Sequence, residues 1–342
     1  MKLHPVSYYA HALKPALPPG TFEPARARLA WLPVHLAIIA LSMVAIAAGW
    51  GGWPIALLLV PIIGHSFAGL TFLGHETLHG SVVRSRWLRH LVGWIGFLPF
   101  FVSPRLWTVW HNKIHHGHTA EAGVDPDAFP TLAEYRQSRL VRIVTDHLSL
   151  GRRRWMGGVL ALLFGFTFQS VQVLLTAHGL GWMSRRDHRR ALAETALGVA
   201  FWLALALLLG AWTFLFAFAL PLLIANALVM AFIFANHSLS PLTDVNDPLV
   251  NSLSVTVPRL LDWTTLRFGY HVEHHLFPSM SSRHAPALRA LVLARWPDRY
   301  QSMPLWRALV KMLGTARVYK QATQLYDPRS GREWPTLGPQ SV

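Results

Sequence analysis

Hydrophobic residues along this chain gather into long uninterrupted runs, not into the short periodic stripes of a water-soluble domain. Between Leu29 and His75 there is no Asp, Glu, Lys or Arg, and the same holds between Thr195 and Thr243. A helix crossing the hydrocarbon core needs about 20 apolar residues, so each run has room for two crossings. Each is also punctuated near its middle, by GWGGWP at Gly49 to Pro54 and by LLLGAWTF around Gly210. Glycine and proline are turn formers, and tryptophan prefers the membrane interface. The pattern predicts two helical hairpins, with spans at about 30–49, 54–74, 193–210 and 213–236.

Other apolar stretches fit this scheme less directly. LVGWIGFLPFFVSP, Leu91 to Pro104, is too short to cross and Pro99 would end its helix, so an interfacial or re-entrant segment is expected. Trp155 to Ser184 is long enough to cross. A fifth crossing, however, would put the histidines that follow it on the opposite side from those that precede it, so this segment is expected to lie flat. RHAPALRALVLARWPDRY and MPLWRALVKMLGTARVY have amphipathic helical spacing and are expected on the same face, followed by a polar tail from Asp327. The expected fold is an all-α integral membrane protein: four transmembrane helices in two hairpins, with a cytosolic helical cap. Residues 1–28 form a leader, 29–326 one integrated domain and 327–342 the tail; the first apolar run is too long for a signal-peptide core, so no cleavage is expected.

Composition agrees. The chain is 52% hydrophobic and 14% charged, against about 25% charged for a soluble domain. The formal charge of +15 is placed asymmetrically, because the turns of both hairpins carry none of it while arginines crowd the other segments. The positive-inside rule then puts both termini and the histidine-bearing segments on the cytoplasmic side. The preference for Arg over Lys suggests a bacterial source, hence a bacterial cytoplasmic membrane. Arg152, Arg153 and Arg154, and Arg185, Arg186, Arg189 and Arg190, lack a recognition helix or stacking platform, so no nucleic-acid partner is expected. With no cysteine, disulfides, thiolate haem, thiolate iron–sulfur clusters and Cys-type zinc sites are excluded.

The chemistry lies among the 19 histidines. Three clusters read HETLH (His75, His79), HNKIHH (His111, His115, His116) and HVEHH (His271, His274, His275), each with a pair four residues apart. On a helix that spacing stacks two imidazoles on one face. Catalytic zinc takes three protein ligands and a water, so eight imidazoles are too many for one zinc or one octahedral ion and indicate two metals. Imidazole suits several metals; open positions for O2 favour iron. His237, in FANHSLSP, is a ninth candidate ligand or else a helix cap, and Asn236 beside it could reach a metal directly or through water. Glu76 and Glu273 could be ligands or bases but read rather as solvent-facing or as hydrogen-bond partners of a ligand imidazole, and Asp125 and Asp127 read as turn formers or site residues. His35, His65, His90, His118, His147, His178, His188 and His284 read as structural. Taken alone, GHETLHG is also the HExxH pattern of a zinc protease, with Glu76 as general base.

HxxxH, HxxxHH and HxxHH in this order around paired spans resemble the membrane fatty acid desaturase family, over nearly the whole chain from Leu29. GYHVEHHLFP, Gly269 to Pro278, is particularly similar to the family's third box. The resemblance implies two irons held by His75, His79, His111, His115, His116, His271, His274 and His275, with His237 near the family's additional ligand. It also implies O2 as co-substrate and a tunnel for a fatty acyl chain carried on a lipid, CoA or carrier protein, for which Trp107, Trp110, Trp263 and Phe268 are candidate walls. Position of the double bond would follow from tunnel shape. His271 stands where front-end desaturases have glutamine, and the HPGG motif of a fused cytochrome b5 domain is absent. A separate electron donor, ferredoxin or cytochrome b5, is therefore expected. Related hydroxylases, ketolases and alkene-forming decarboxylases share such boxes. An intramembrane zinc protease and a non-catalytic metal or lipid scaffold are the readings from other classes.

Overall fold

The computed structural model describes residues 2–148 and 155–338; the arginine run at 152–154 and the end of the expected tail, 339–342, lie outside them. It divides into two compact units, one made of Pro24–Trp110 and Leu163–Val229, the other of Met1–Glu23, His111–Leu162 and Met230–Val342. Each is described by itself.

The first unit is built from apolar helices. Helices Trp31–Ala47 and Gly52–Leu78 are joined through Gly49, Gly51 and Gly52, all in left-handed backbone conformations. The Arg185–Phe214 helix is interrupted at Gly210, whose φ of 78° and ψ of 162° lie in a region essentially restricted to glycine. Both interruptions fall where the turn formers predict. Large apolar side chains point outward from these helices; Leu207 is 88% and Leu208 79% exposed. In water so much apolar surface would be unfavourable, whereas lipid tails cover it without loss. Among the described residues, four helices are long and apolar enough to cross a membrane: Arg26–Ala47, Gly52–Leu78, Met156–Thr176 and Arg185–His237, the last of 53 residues and broken at Gly210. Met156–Thr176, expected to lie flat, thus meets the length and composition of a span; nothing in its sequence breaks a helix.

Helix Arg86–Phe97 ends just before Pro99, as expected, and packs on helix Gly52–Leu78. The contact is close because both surfaces are glycine: a Cβ on Gly96 would lie 2.6 Å from the Leu70 carbonyl oxygen and 2.9 Å from Gly74 Cα. The Thr71 hydroxyl donates to the Gly96 carbonyl at 3.1 Å. This small-residue contact holds the end of the helix that carries His75 and His79.

The second unit mixes helices with short strands, correcting the all-helical cap expected from the sequence. β1 (Ser254–Thr256) pairs in parallel with β2 (Ser302–Pro304), and β3 (Val318–Gln321), β4 (Gln324–Tyr326) and β5 (Glu333–Pro335) form an antiparallel sheet. The amphipathic segment beginning at Met303 is helical only over Leu305–Leu313; Gly314 ends it and Val318 and Tyr319 are buried in β3. Within the expected polar tail, Glu333–Pro335 pair with β4. Strands of three or four residues are too short for periodicity to reveal. A core of Tyr9, Leu13, Leu249, Val272, Leu276, Leu288, Val292 and Tyr300 underlies helix His271–Leu276. Buried Asp247 accepts hydrogen bonds from Tyr9 Oη, Arg299 and the His4 backbone, tying the N-terminal segment to this core.

The Gly74–Gly96 contact gives a direct expectation. Gly96→Val is expected to destabilise the fold by about 1–3 kcal/mol through overpacking, seen as a lowered thermal midpoint in detergent. Ala322→Val, in an exposed β turn, is expected to stay within about 0.5 kcal/mol of the parent.

Candidate metal centre

Each histidine cluster has its own local frame. His75 and His79 end helix Gly52–Leu78, their ring centroids 4.8 Å apart. Buried Trp107 packs edge-on against both, at 5.1 and 5.2 Å. Glu76 between them is buried and paired with Arg28, Nη1 to Oε2 2.9 Å.

The second cluster sits on a π-helix, Thr108–His115, where the His116 amide donates to the His111 carbonyl five residues back. Such widened turns recur at functional sites. The widening places both His115 and His116 beside His111, with ring centroids 5.0 and 4.7 Å away. The third cluster lies on the short helix His271–Leu276, braced from behind. Glu273 is fully buried and accepts from Tyr300 Oη at 2.6 Å and Ser254 Oγ at 2.7 Å, while Ser254 Oγ accepts from the Val272 amide. Burial raises the Glu273 pKa, although those hydrogen bonds oppose the rise.

Within the second unit the histidines converge. One potential ligand nitrogen from each of His115, His237, His271 and His275 lies within 4.8 Å of the others, and all four residues are buried. His237 Nε2 is 2.6 Å from His271 Nε2, which is 3.0 Å from His275 Nε2. A second gathering brings His116 Nε2 to 3.1 Å from His111 Nε2 and 3.0 Å from His274 Nε2. His111, His115 and Asp127 also form a potential metal-binding group.

The other face of the rings fixes their orientation. His115 Nδ1 donates to Asp125 Oδ1 at 2.9 Å, with Asp127 Oδ2 at 3.4 Å. His237 Nδ1 donates to the Asn251 carbonyl at 3.3 Å, and His275 Nδ1 to Thr119 Oγ1 at 3.3 Å. With Nδ1 engaged from behind in all three rings, Nε2 is the nitrogen that faces inward, and it would bind a metal in its deprotonated form. Among the described residues, buried His115 Nε2 has no hydrogen-bond partner, nor has buried Asn236 Oδ1. Unpaired buried polar atoms are costly, and a cation bound by these atoms would remove that cost. The residues therefore fit a metal ion.

Electrostatics distinguish the rings, and a metal at His115 would displace a proton. Burial alone would lower the His115 pKa, but the carboxylates of Asp125 and Asp127 and the hydrogen bond to Asp125 raise it to about 9. Asp125 is shifted the other way: burial opposes its charge, yet His115 holds it below the usual carboxylate range. His275, buried and facing other imidazoles, is well below the ordinary histidine value. Asp125 thus orients the His115 imidazole; the spacing between them gives no periodic signal, so from the sequence the turn-former and site-residue readings stay equally open. Of the tunnel candidates, Trp110 stacks on Phe166, Phe268 packs beside Phe232 and His271, and Trp263 is 61% exposed, which does not suit a tunnel wall.

The sequence profile of the family described as fatty acid desaturase matches residues 51–306. The chain belongs to the fatty acid desaturase family. It is 24% identical over 335 residues to an sn-1 oleoyl-lipid 12-desaturase of Synechocystis sp., covering 92% of this chain and 88% of that one. An enzyme of the same name from Arthrospira platensis is 25% identical over 278 residues, 76% of this chain and 74% of the relative. An sn-1 acyl-lipid omega-3 desaturase (ferredoxin) of Synechocystis sp. is 28% identical over 130 residues, covering 38% and 36%. The protease reading is not favoured: Glu76 is held by Arg28, and among the described residues no carboxylate joins His75 and His79 in a potential metal site.

Asp125→Asn is expected to weaken metal retention about 10–100-fold, the usual effect of losing a carboxylate behind a ligand histidine. Chelator competition on the purified protein would measure it.

Proposed function

We propose that this desaturase is an O2-dependent acyl-lipid desaturase whose two irons are held by His75, His79, His111, His115, His116, His237, His271, His274 and His275. The observation that carries this reading is the convergence of four buried imidazoles with three Nδ1 atoms tethered from behind. Iron bound there would supply the oxygen-activating, hydrogen-abstracting chemistry. The chain's own residues orient and shield: Asp125, Asn251 and Thr119 fix the imidazole tautomers, Glu273 with Tyr300 and Ser254 holds the third box rigid, and burial excludes water. Preorganisation of this kind is the protein's share in cofactor catalysis.

The relatives support the substrate class: two that align with three quarters or more of this chain are named for oleoyl groups on a lipid. A glycerolipid acyl chain is therefore favoured over acyl-CoA or acyl carrier protein. The donor is a separate ferredoxin; one relative is named for it, and the net charge of +15 suits an acidic partner.

We further propose two transmembrane hairpins within one desaturase domain, 29–326, set in a bacterial cytoplasmic membrane, with a leader at 1–28, a terminal segment at 327–342 and the boxes and termini cytoplasmic. Parity supports it. His115 precedes residues 155–237 and yet gathers with His237, His271 and His275. An even number of crossings must separate them. If the two legs broken at Gly210 cross as a hairpin, Met156–Thr176 lies at the interface.

Anaerobically purified protein is expected to hold two irons per chain. Cells expressing it should gain an unsaturated acyl chain in their glycerolipids, absent for His115→Ala and His274→Ala. One zinc per chain with unchanged lipids would overturn the reading.

A further inference from the structure

The second unit carries an exposed apolar surface that neither the metal ligands nor the core accounts for. Helix Leu305–Leu313 has two faces: Ala308 and Met312 are fully buried, whereas Trp306 is 68%, Val310 59% and Leu313 45% exposed. Spacing of four and three residues puts those three on one stripe, and Arg307 and Lys311 belong to the same helix. Helix Arg259–Thr264 repeats the arrangement in miniature, with Leu260 71% exposed, Trp263 exposed and Arg259 at its start.

The two helices are neighbours by construction. Thr256 pairs with Pro304 at the end of the parallel β1–β2 ladder, and one helix begins at Leu305, the other at Arg259. Both therefore leave the same end of the sheet. Beside helix Arg259–Thr264 a hollow of about 580 Å³ is lined by Arg259, Leu260, Asp262, Trp263 and Arg267.

We propose that these helices form a membrane-surface contact: Leu260, Trp263, Trp306, Val310 and Leu313 enter the interfacial layer, and Arg259, Arg267, Arg307 and Lys311 engage anionic phospholipid headgroups. Tryptophan and leucine beside basic residues on an amphipathic helix is the composition of in-plane membrane helices. Four cations against the single carboxylate of Asp262 complement an anionic leaflet. Long basic side chains keep their charge at headgroup level while their stems cover apolar surface. A bilayer is also at hand, since the chain's apolar runs already commit it to one. The contact is independent of the reaction catalysed.

Absence of cysteine makes the test direct. Leu260→Cys, Trp306→Cys, Val310→Cys and, as a control in the β3–β4 turn, Ala322→Cys are each labelled with a nitroxide in the full-length protein. The proteins are reconstituted in phosphatidylcholine vesicles with or without phosphatidylglycerol. At 260, 306 and 310, relaxation by lipid-soluble O2 is expected to exceed that by a water-soluble nickel chelate, with the order reversed at 322. Phosphatidylglycerol should increase the depth, and Arg259→Glu with Arg307→Glu should abolish that increase. Nickel relaxation at 260, 306 and 310 equal to that at 322 overturns the proposal. Shielding from both agents overturns it equally, because it means a protein occupies the surface. A phosphatidylglycerol effect that survives both charge reversals overturns the headgroup assignment.

Discussion

An imidazole has two nitrogens, and in a buried site both must be accounted for. If one faces a metal, the other needs a partner on the far side, or its N–H is buried unsatisfied at a cost of about 1–3 kcal/mol. Much of the second unit follows from that requirement. Asp125 stands behind His115, the Asn251 carbonyl behind His237 and the Thr119 hydroxyl behind His275. None of these belongs to a histidine box. The loops that carry them are knitted together in turn: Asn251 Nδ2 donates to the Thr119 carbonyl at 3.0 Å, and Asp125 accepts from the Ala120 amide at 2.7 Å.

The third box shows the same logic at the level of the backbone. A six-residue helix is too short to be stable alone, so its geometry is imposed by contacts. Val272 and Leu276 enter the core with Tyr9, Leu13 and Leu288, while Glu273 is pinned between Tyr300 and Ser254. Ser254 lies in β1 and Tyr300 just before β2, so the two-stranded sheet that launches the exposed amphipathic helices also braces the third histidine box. The carboxylate in HVEHH is therefore engaged by the scaffold.

The sequence made the large features legible because they arise from strong, simple signals. Charge-free runs give the apolar helices; Gly49 to Gly52 and Gly210 give the breaks; and the spacing of the histidines marks out the rings that gather, His115 with His271 and His275 among them. What stayed hidden depends on contacts remote in sequence or on weak local signals. Asp125 looks like any turn aspartate until His115 is placed beside it. The strands from Val318 to Pro335 are held by each other and not by intrinsic periodicity. Trp263 adjoins the third box in sequence but faces outward, because two consecutive residues, Leu266 and Arg267, adopt positive φ and redirect the chain between them. Positive φ at non-glycine residues leaves no sequence signature.

The paired histidines that close the second and third boxes follow from geometry. Neighbouring residues on a helix point in different directions, so two adjacent imidazoles are poorly placed to share one ion. Here they part company. His115 and His275 belong to the gathering with His237 and His271, whereas His116 and His274 meet each other at 3.0 Å and His116 meets His111 at 3.1 Å. Each doublet thus contributes one ring to each of two gatherings, and the rings of His116 and His275, 4.4 Å apart between centroids, lie where the two adjoin. The π-helix assists, because its wider turn lets His111 neighbour both His115 and His116. A single HxxxH supplies two ligands to one ion, while the extra histidine of HxxxHH is useful chiefly to a second ion close to the first. Doubling in both boxes is therefore the feature of the sequence behind the proposal of two adjacent metals.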